Sequence, residues 1–247
     1  MSKVLCNLAV FLLLASGTII AISHDLNASP KTSVLPANES HCGYEHVRIE
    51  GDPPVHGLGF CQSLSRVMAF FQSMGFEFEP RFSLITTSRL DADQAHSYGN
   101  YDAAIERITI FRIGKKTPWN LDLSKEIYNS IAVHEMVHMA VLRILGENYS
   151  RLSKEWHEFI AYSVQIDLLD RPLRDRVLDR NKDVLAFANL LSVNPYIYGL
   201  AGSDLFSVQA YKTYRARGGP TFVQDLLRFK FSPPPFIDIF PLPPQIR

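Results

Sequence analysis

His134-Glu135-Met136-Val137-His138 sets two imidazoles four residues apart, with a carboxylate next to the first. In a helix, residues at i and i+4 share one face and lie about 6 Å apart along the axis. Both rings can then grip one metal ion. Glu135 sits where it can take a proton from water at that metal. A lone buried histidine is more often a core residue with a satisfied hydrogen bond. Two at this spacing, with a carboxylate between them, suit a hydrolytic metal site better than a plain core helix.

The motif needs a helix to make it work, and the sequence supplies one over residues 121–146. Ile127, Ile131, His134, His138, Val141 and Leu145 recur at three- and four-residue steps, which puts the histidines on the apolar stripe. Asp122 or Ser124 can cap the start, Gly146 is a natural stop, and Pro118 lies outside. A catalytic zinc ion usually has three protein ligands and one open position. A second helix, expected over 152–169, carries three candidates for the third: Glu155, His157 and Glu158. Glu155 is one turn from Glu158 on a similar face, and His157 points about 100° away from Glu158.

One residue pattern adds to this reading. Glu158 falls 20 residues after His138, is preceded by Trp156 and is followed by Ala161 and Tyr162. H-E-x-x-H with a downstream Glu, a nearby Trp and a small residue at plus three resembles the glutamate-zincin (gluzincin) branch of the zincin metallopeptidases. The Trp stands one residue closer to the Glu than in that family. The resemblance spans residues 80–230 and is specific over 134–162. It implies that His134, His138 and Glu158 hold one Zn²⁺, that Glu135 is the general base, and that the substrate is a peptide or polypeptide. It also implies an α+β zincin-like fold: a small N-terminal mixed or antiparallel sheet, an active-site helix and a mainly helical C-terminal lobe. A Gly-x-Tyr-Asp turn at Gly99, feeding the apolar strand Ile108-Thr-Ile-Phe, is similar to the stretch that precedes the active-site helix in many zincins, where the edge strand lies over the cleft, although a plain hairpin reads equally well. Tyr211 to Gly219 resembles the family's C-terminal helix and glycine stop.

Two features depart from the pattern. Tyr162 stands where thermolysin-like enzymes place an Asp behind a ligand histidine, so Asp204 or a backbone carbonyl is left for that task. Tyr196, Tyr198, Tyr211 and Tyr214 are all candidates to face a tetrahedral oxyanion, and the sequence does not separate them.

The remaining elements frame the site. Strands are expected at 47–50, 81–87 and 108–113, and helices at 60–75, 171–190, 204–217 and 221–229. Residues 1–23, with Lys3 before an apolar run and Ala21-Ile-Ser at its end, read as a secretory signal peptide. Residues 24–41 read as a flexible leader, 42–230 as the domain, and 231–247 as a proline-rich, extended tail packed on the surface. Cleavage of the signal leaves no stable membrane span. The chain is therefore expected to be exported, to the periplasm or beyond. Cys42 and Cys61 remain in the mature chain and suit one disulfide, worth about 3 kcal/mol.

Lysine plus arginine and aspartate plus glutamate each number 25, and no basic patch is interleaved with aromatics, which argues against nucleic acid as a partner. At 47% hydrophobic residues the chain can build a full core. Oligomeric state has no signature in the sequence. The leading expectation is an exported zinc peptidase. The alternatives are a non-catalytic zincin-fold module that binds a peptide or protein partner around a structural metal, and a hydrolase or metal-binding protein that uses another first-row ion.

Overall fold

Four short strands form one mixed sheet, and helices supply most of the rest. The computed structural model describes residues 42–50, 59–87, 98–111, 117–231 and 233. The expected signal peptide, the leader and all but the start of the tail lie outside these residues.

Strand β1 (Val47–Glu50) alternates buried and exposed side chains, which seats Val47 and Ile49 on the core. Helix α1 (Phe60–Ser73) follows, and β2 (Phe82–Thr87) returns parallel to β1, pairing Ile49 with Leu84. A helix between two parallel neighbours is the connection that parallel pairing requires. Strand β4 (Arg107–Phe111) adds parallel to β2, and β3 (Gly99–Asp102) pairs antiparallel with β4. The order is β1-β2-β4-β3, so β3 is an edge. A disulfide joins Cys42 to Cys61, tying the segment before β1 to the first turn of α1.

Helix α2 (Lys125–Leu145) carries the motif. Ser124 caps it by accepting from the Ile127 N–H at 3.3 Å, and Gly146 ends it. The sequence predicts an amphipathic stripe here. The structure buries more: Ala132, Val133, Met136, Val137, Met139 and Ala140 are covered as fully as Ile127 and Ile131. The cause is position, because α1, β3, β4 and α6 (Pro220–Leu227) all pack around α2 together with α3 (Lys154–Asp167). A helix surrounded in this way is apolar on nearly every side.

Helix α3 buries Trp156, Phe159, Ile160, Ala161 and Val164. Trp156 and Phe222 of α6 flank Phe231, and the apolar residues between the tail prolines lie outside the described residues. Helix α4 (Arg171–Arg180) stops well short of the expected 190, because Asn181 and the polar residues after it end the apolar period. Helix α5 (Pro195–Ala216) starts earlier than expected and breaks at Gly202, whose φ of 69° and ψ of 167° are not helical. Its Asn194 cap accepts from the Ile197 N–H at 3.0 Å. The domain is thus α+β, with a small mixed sheet and a mainly helical remainder. No helix among the described residues is long and apolar enough to cross a membrane. That and the disulfide are both compatible with an exported chain.

Candidate metal centre

Helices α2 and α3 bring three of the sequence-predicted ligands together. His134 and His138 lie one turn apart on α2, with Nε2 atoms 3.1 Å from each other. Glu158, on α3, sets Oε2 3.4 Å from His134 Nε2 and Oε1 3.7 Å from His138 Nε2. At the usual zinc–ligand distance, the edge of a tetrahedron measures about 3.3–3.4 Å. The histidine pair and the nearer carboxylate contact lie close to that edge, the two imidazoles face different oxygens of Glu158, and with one ligand atom per residue all three lie within 4.8 Å of one another. Three donor atoms converge with no side chain between them, and they could hold a metal ion.

The two competing ligands are engaged elsewhere. Glu155 accepts a hydrogen bond from Ser153 Oγ at 2.9 Å, at the start of α3. His157 stacks on Tyr149 with ring centroids 4.0 Å apart and donates through Nε2 to the Tyr149 carbonyl at 3.1 Å.

Burial and charge prepare the trio for a cation. Burial pushes the His138 pKa down to about 3, so that ring is neutral. Burial alone would raise Glu158, but His138 and His134 outweigh it and hold the carboxyl at about 2. Burial also works against charge on His134, yet Glu158 and Glu135 together raise its pKa. A proton on an imidazole competes with a dication for the same lone pair, so metal affinity falls as pH drops.

Glu135 lies beside the trio at the edge of the sheet. It is 6% exposed, and burial pushes its pKa up to about 7 despite the offsetting charge of His134. The backbone N–H of Tyr101 on β3 donates to it. The pairing of β3 explains that donor. Tyr98 O accepts from Phe111 N–H at 3.0 Å, so Tyr98 and Asn100 turn their backbone groups to β4, and Gly99 and Tyr101 turn theirs outward. A Cβ on Gly99 would come within 2.8 Å of Glu135 Oε1 and 3.0 Å of Ile131 Cγ2. Only glycine lets the strand approach so closely. Gly99→Ala should therefore displace the carboxylate and leave the ligands in place. If the site is hydrolytic, kcat should drop about 100-fold, as expected for an ångström-scale misplacement, with metal content unchanged. Wild-type kcat in that variant would show that the contact has no role.

The trio opens into a cavity of about 870 Å³. Residues 98–101, Trp119 and Ile131 form one wall, and Tyr149, Leu152 and Lys154 form another. The first half of α5 closes the cavity with Tyr198 and Asp204. Of the four tyrosines singled out by sequence, only Tyr198 lines it. Tyr196 is 41% exposed, Tyr211 is packed in the core, and the Tyr214 hydroxyl donates to Asp167 Oδ2 at 3.0 Å. Burial, followed by the nearby charge of Glu158, pushes Tyr198 up to about 12, so it stays a hydrogen-bond donor. Its hydroxyl also bonds to that of Tyr162, whose ring lies 4.3 Å from His134. Asp204 lines the cavity near Tyr98.

Sequence reasoning missed Trp119 and Gln165 as parts of this site, and read Gly99 only as part of a turn and Tyr162 only as standing in place of an Asp. Only Gln165 carried a readable signal. It lies seven residues after Glu158, two helical turns, and so falls on the same face.

Fold and site together define a class: an α+β domain in which two packed helices present a His/His/Glu cluster to a large cavity beside a sheet edge. The chain belongs to the family described as a family of unknown function (DUF6639), whose model matches residues 47–233. No curated protein and no solved structure matches the chain.

Proposed function

We infer that this chain is an exported zinc-dependent peptidase with a zincin-like, gluzincin-type domain. The observation that carries the reading is the convergence of His134, His138 and Glu158, with ligand atoms within 4.8 Å of one another and Glu135 buried beside them on the wall of an open cavity. Two imidazoles and one carboxylate, with room for a fourth ligand, suit catalytic zinc. A structural site has no use for the fourth side chain, Glu135.

Zinc held there supplies Lewis-acid polarisation of a scissile carbonyl and acidifies a neighbouring water. Glu135 takes the proton of that water on its carboxylate and returns it to the leaving amine. Its pKa near neutrality in the metal-free chain suits both halves of that task. The Tyr198 hydroxyl donates towards the oxygen that becomes negative in the transition state. The outer edge of β3 lines the cavity, and a peptide laid alongside in extended form would run along it.

The test is metal analysis of the chain purified as residues 24–247, followed by a peptide-library digest. One zinc per chain is expected, with cleavage that a chelator stops and added zinc restores. A chain that takes up no zinc and cleaves no peptide sinks the reading.

A further inference from the structure

His134 has two ring nitrogens, and the ligand cluster uses one. Nε2 faces His138 and Glu158. Nδ1 points away from them, is fully buried and has no hydrogen bond of ordinary geometry. Gln165 is in the same position. It is 4% exposed, its Oε1 is buried and unpaired, and its Nε2 donates to Ser130 Oγ at 3.3 Å. Gln165 and His134 are close enough to interact. His134 on α2 and Gln165 on α3 line the same cavity and interact, and each carries one buried polar atom without a hydrogen bond. Leaving both unsatisfied would cost more than the bond they can make together.

A chain of donors fixes which atom faces which. Ser130 Oγ donates to the Ile127 carbonyl at 2.8 Å. A hydroxyl has one proton, so towards Gln165 the serine can only accept. The amide must then turn its NH₂ to Ser130 and its oxygen to His134. An amide oxygen only accepts, so the imidazole must present N–H at Nδ1. In a neutral ring this leaves a bare lone pair on Nε2, which is the form a metal ion needs.

We propose that Gln165 is a positioning residue of the metal centre. It holds His134 in its Nδ1–H tautomer and fixes the ring plane, and in this way it sets metal affinity. This rests on the reading of His134, His138 and Glu158 as ligands. Gln165 occupies the role that Asp204 and the backbone were left to fill. It has one advantage over a carboxylate there. Glu135 and Glu158 already place two acids in a buried pocket, and a neutral amide sets the tautomer without adding a third charge.

The experiment is zinc affinity by chelator competition at fixed pH, with thermal unfolding of the metal-free protein alongside. Gln165→Met keeps the length and removes the acceptor. Its zinc affinity should fall about 10- to 100-fold, the usual effect of losing a partner behind a ligand histidine. Gln165→Glu restores the acceptor and should bind zinc at least as tightly as wild type. Nitrogen-15 spectra of the metal-free protein should show His134 protonated at Nδ1 in wild type and no longer so fixed in Gln165→Met. Gln165→Asn stays polar but withdraws the oxygen by one methylene. It carries the same expected weakening and serves if the methionine variant does not fold. Wild-type affinity in Gln165→Met or Gln165→Asn overturns this inference and leaves the metal site standing. A wild-type protein that binds no zinc overturns both.

Discussion

Glu135→Gln is expected to keep its zinc and lose peptide turnover by about 100- to 10,000-fold, the range for removing a general acid–base group. Glutamine has nearly the shape of glutamate, so it can still accept the Tyr101 N–H and still fit under Gly99. It cannot take a proton. Metal analysis and turnover on one preparation separate the two effects. A pH profile sharpens the test. The base must be ionised to act, so in wild type kcat/KM should rise with pH through the pKa of Glu135. Burial puts that pKa at about 7 without metal, and a bound dication pulls it lower. The acid limb should therefore lie below pH 7 in the zinc form and vanish in the variant. Turnover near the wild-type rate in Glu135→Gln would remove Glu135 from the mechanism.

Glu158→Ala should lose the zinc itself. The substitution deletes one of three ligands and opens a gap where α3 meets α2. Outer partners of ligand histidines are worth 10- to 100-fold in affinity, so loss of a direct ligand should exceed about 100-fold. There is a second signature without metal. Glu158 is the larger of the two acids that raise the His134 pKa against burial, so in the variant that pKa should fall, and NMR titration of the ring reads it directly. Zinc retained at wild-type affinity would return the third-ligand role to Glu155 or His157. The present structure opposes that outcome, since both are bonded elsewhere.

The parts of the site that were legible in sequence are those that depend on one helix. His134, Glu135 and His138 follow from a five-residue motif, and the Ser124 cap from local chemistry. The choice of Glu158 over its neighbours came from the resemblance, and the geometry that brings it to the histidines is tertiary. Strand β3 was hidden for a physical reason. Gly99-Asn-Tyr-Asp is poor in strand formers, and it is a strand because β4 pairs with it and α2 packs against it. The first half of α5 was hidden by Gly199 and Gly202, although the Asn194-Pro195 pair signals a helix start. Gln165 could be placed on the ligand face of α3, but its partners Ser130 and His134 belong to the other helix, and that contact is tertiary. Trp119 was missed because its φ of 55° puts a bulky residue in a conformation that sequence patterns do not anticipate.

The break at Gly202 divides α5 into parts with different fates. Beyond it, Phe206, Val208, Ala210 and Tyr214 are locked into the core, and few changes there would be tolerated. Before it, the helix is a short lever whose outer face carries Leu200 at 84% exposure and whose inner face hangs Tyr198 over the cavity. Substitutions on this lever can reshape what the cavity admits without disturbing α2 or α3, because a non-helical glycine insulates the two halves. Among family members, diversity of preference would then accumulate over residues 195–204, while the two helices that hold the metal stay still.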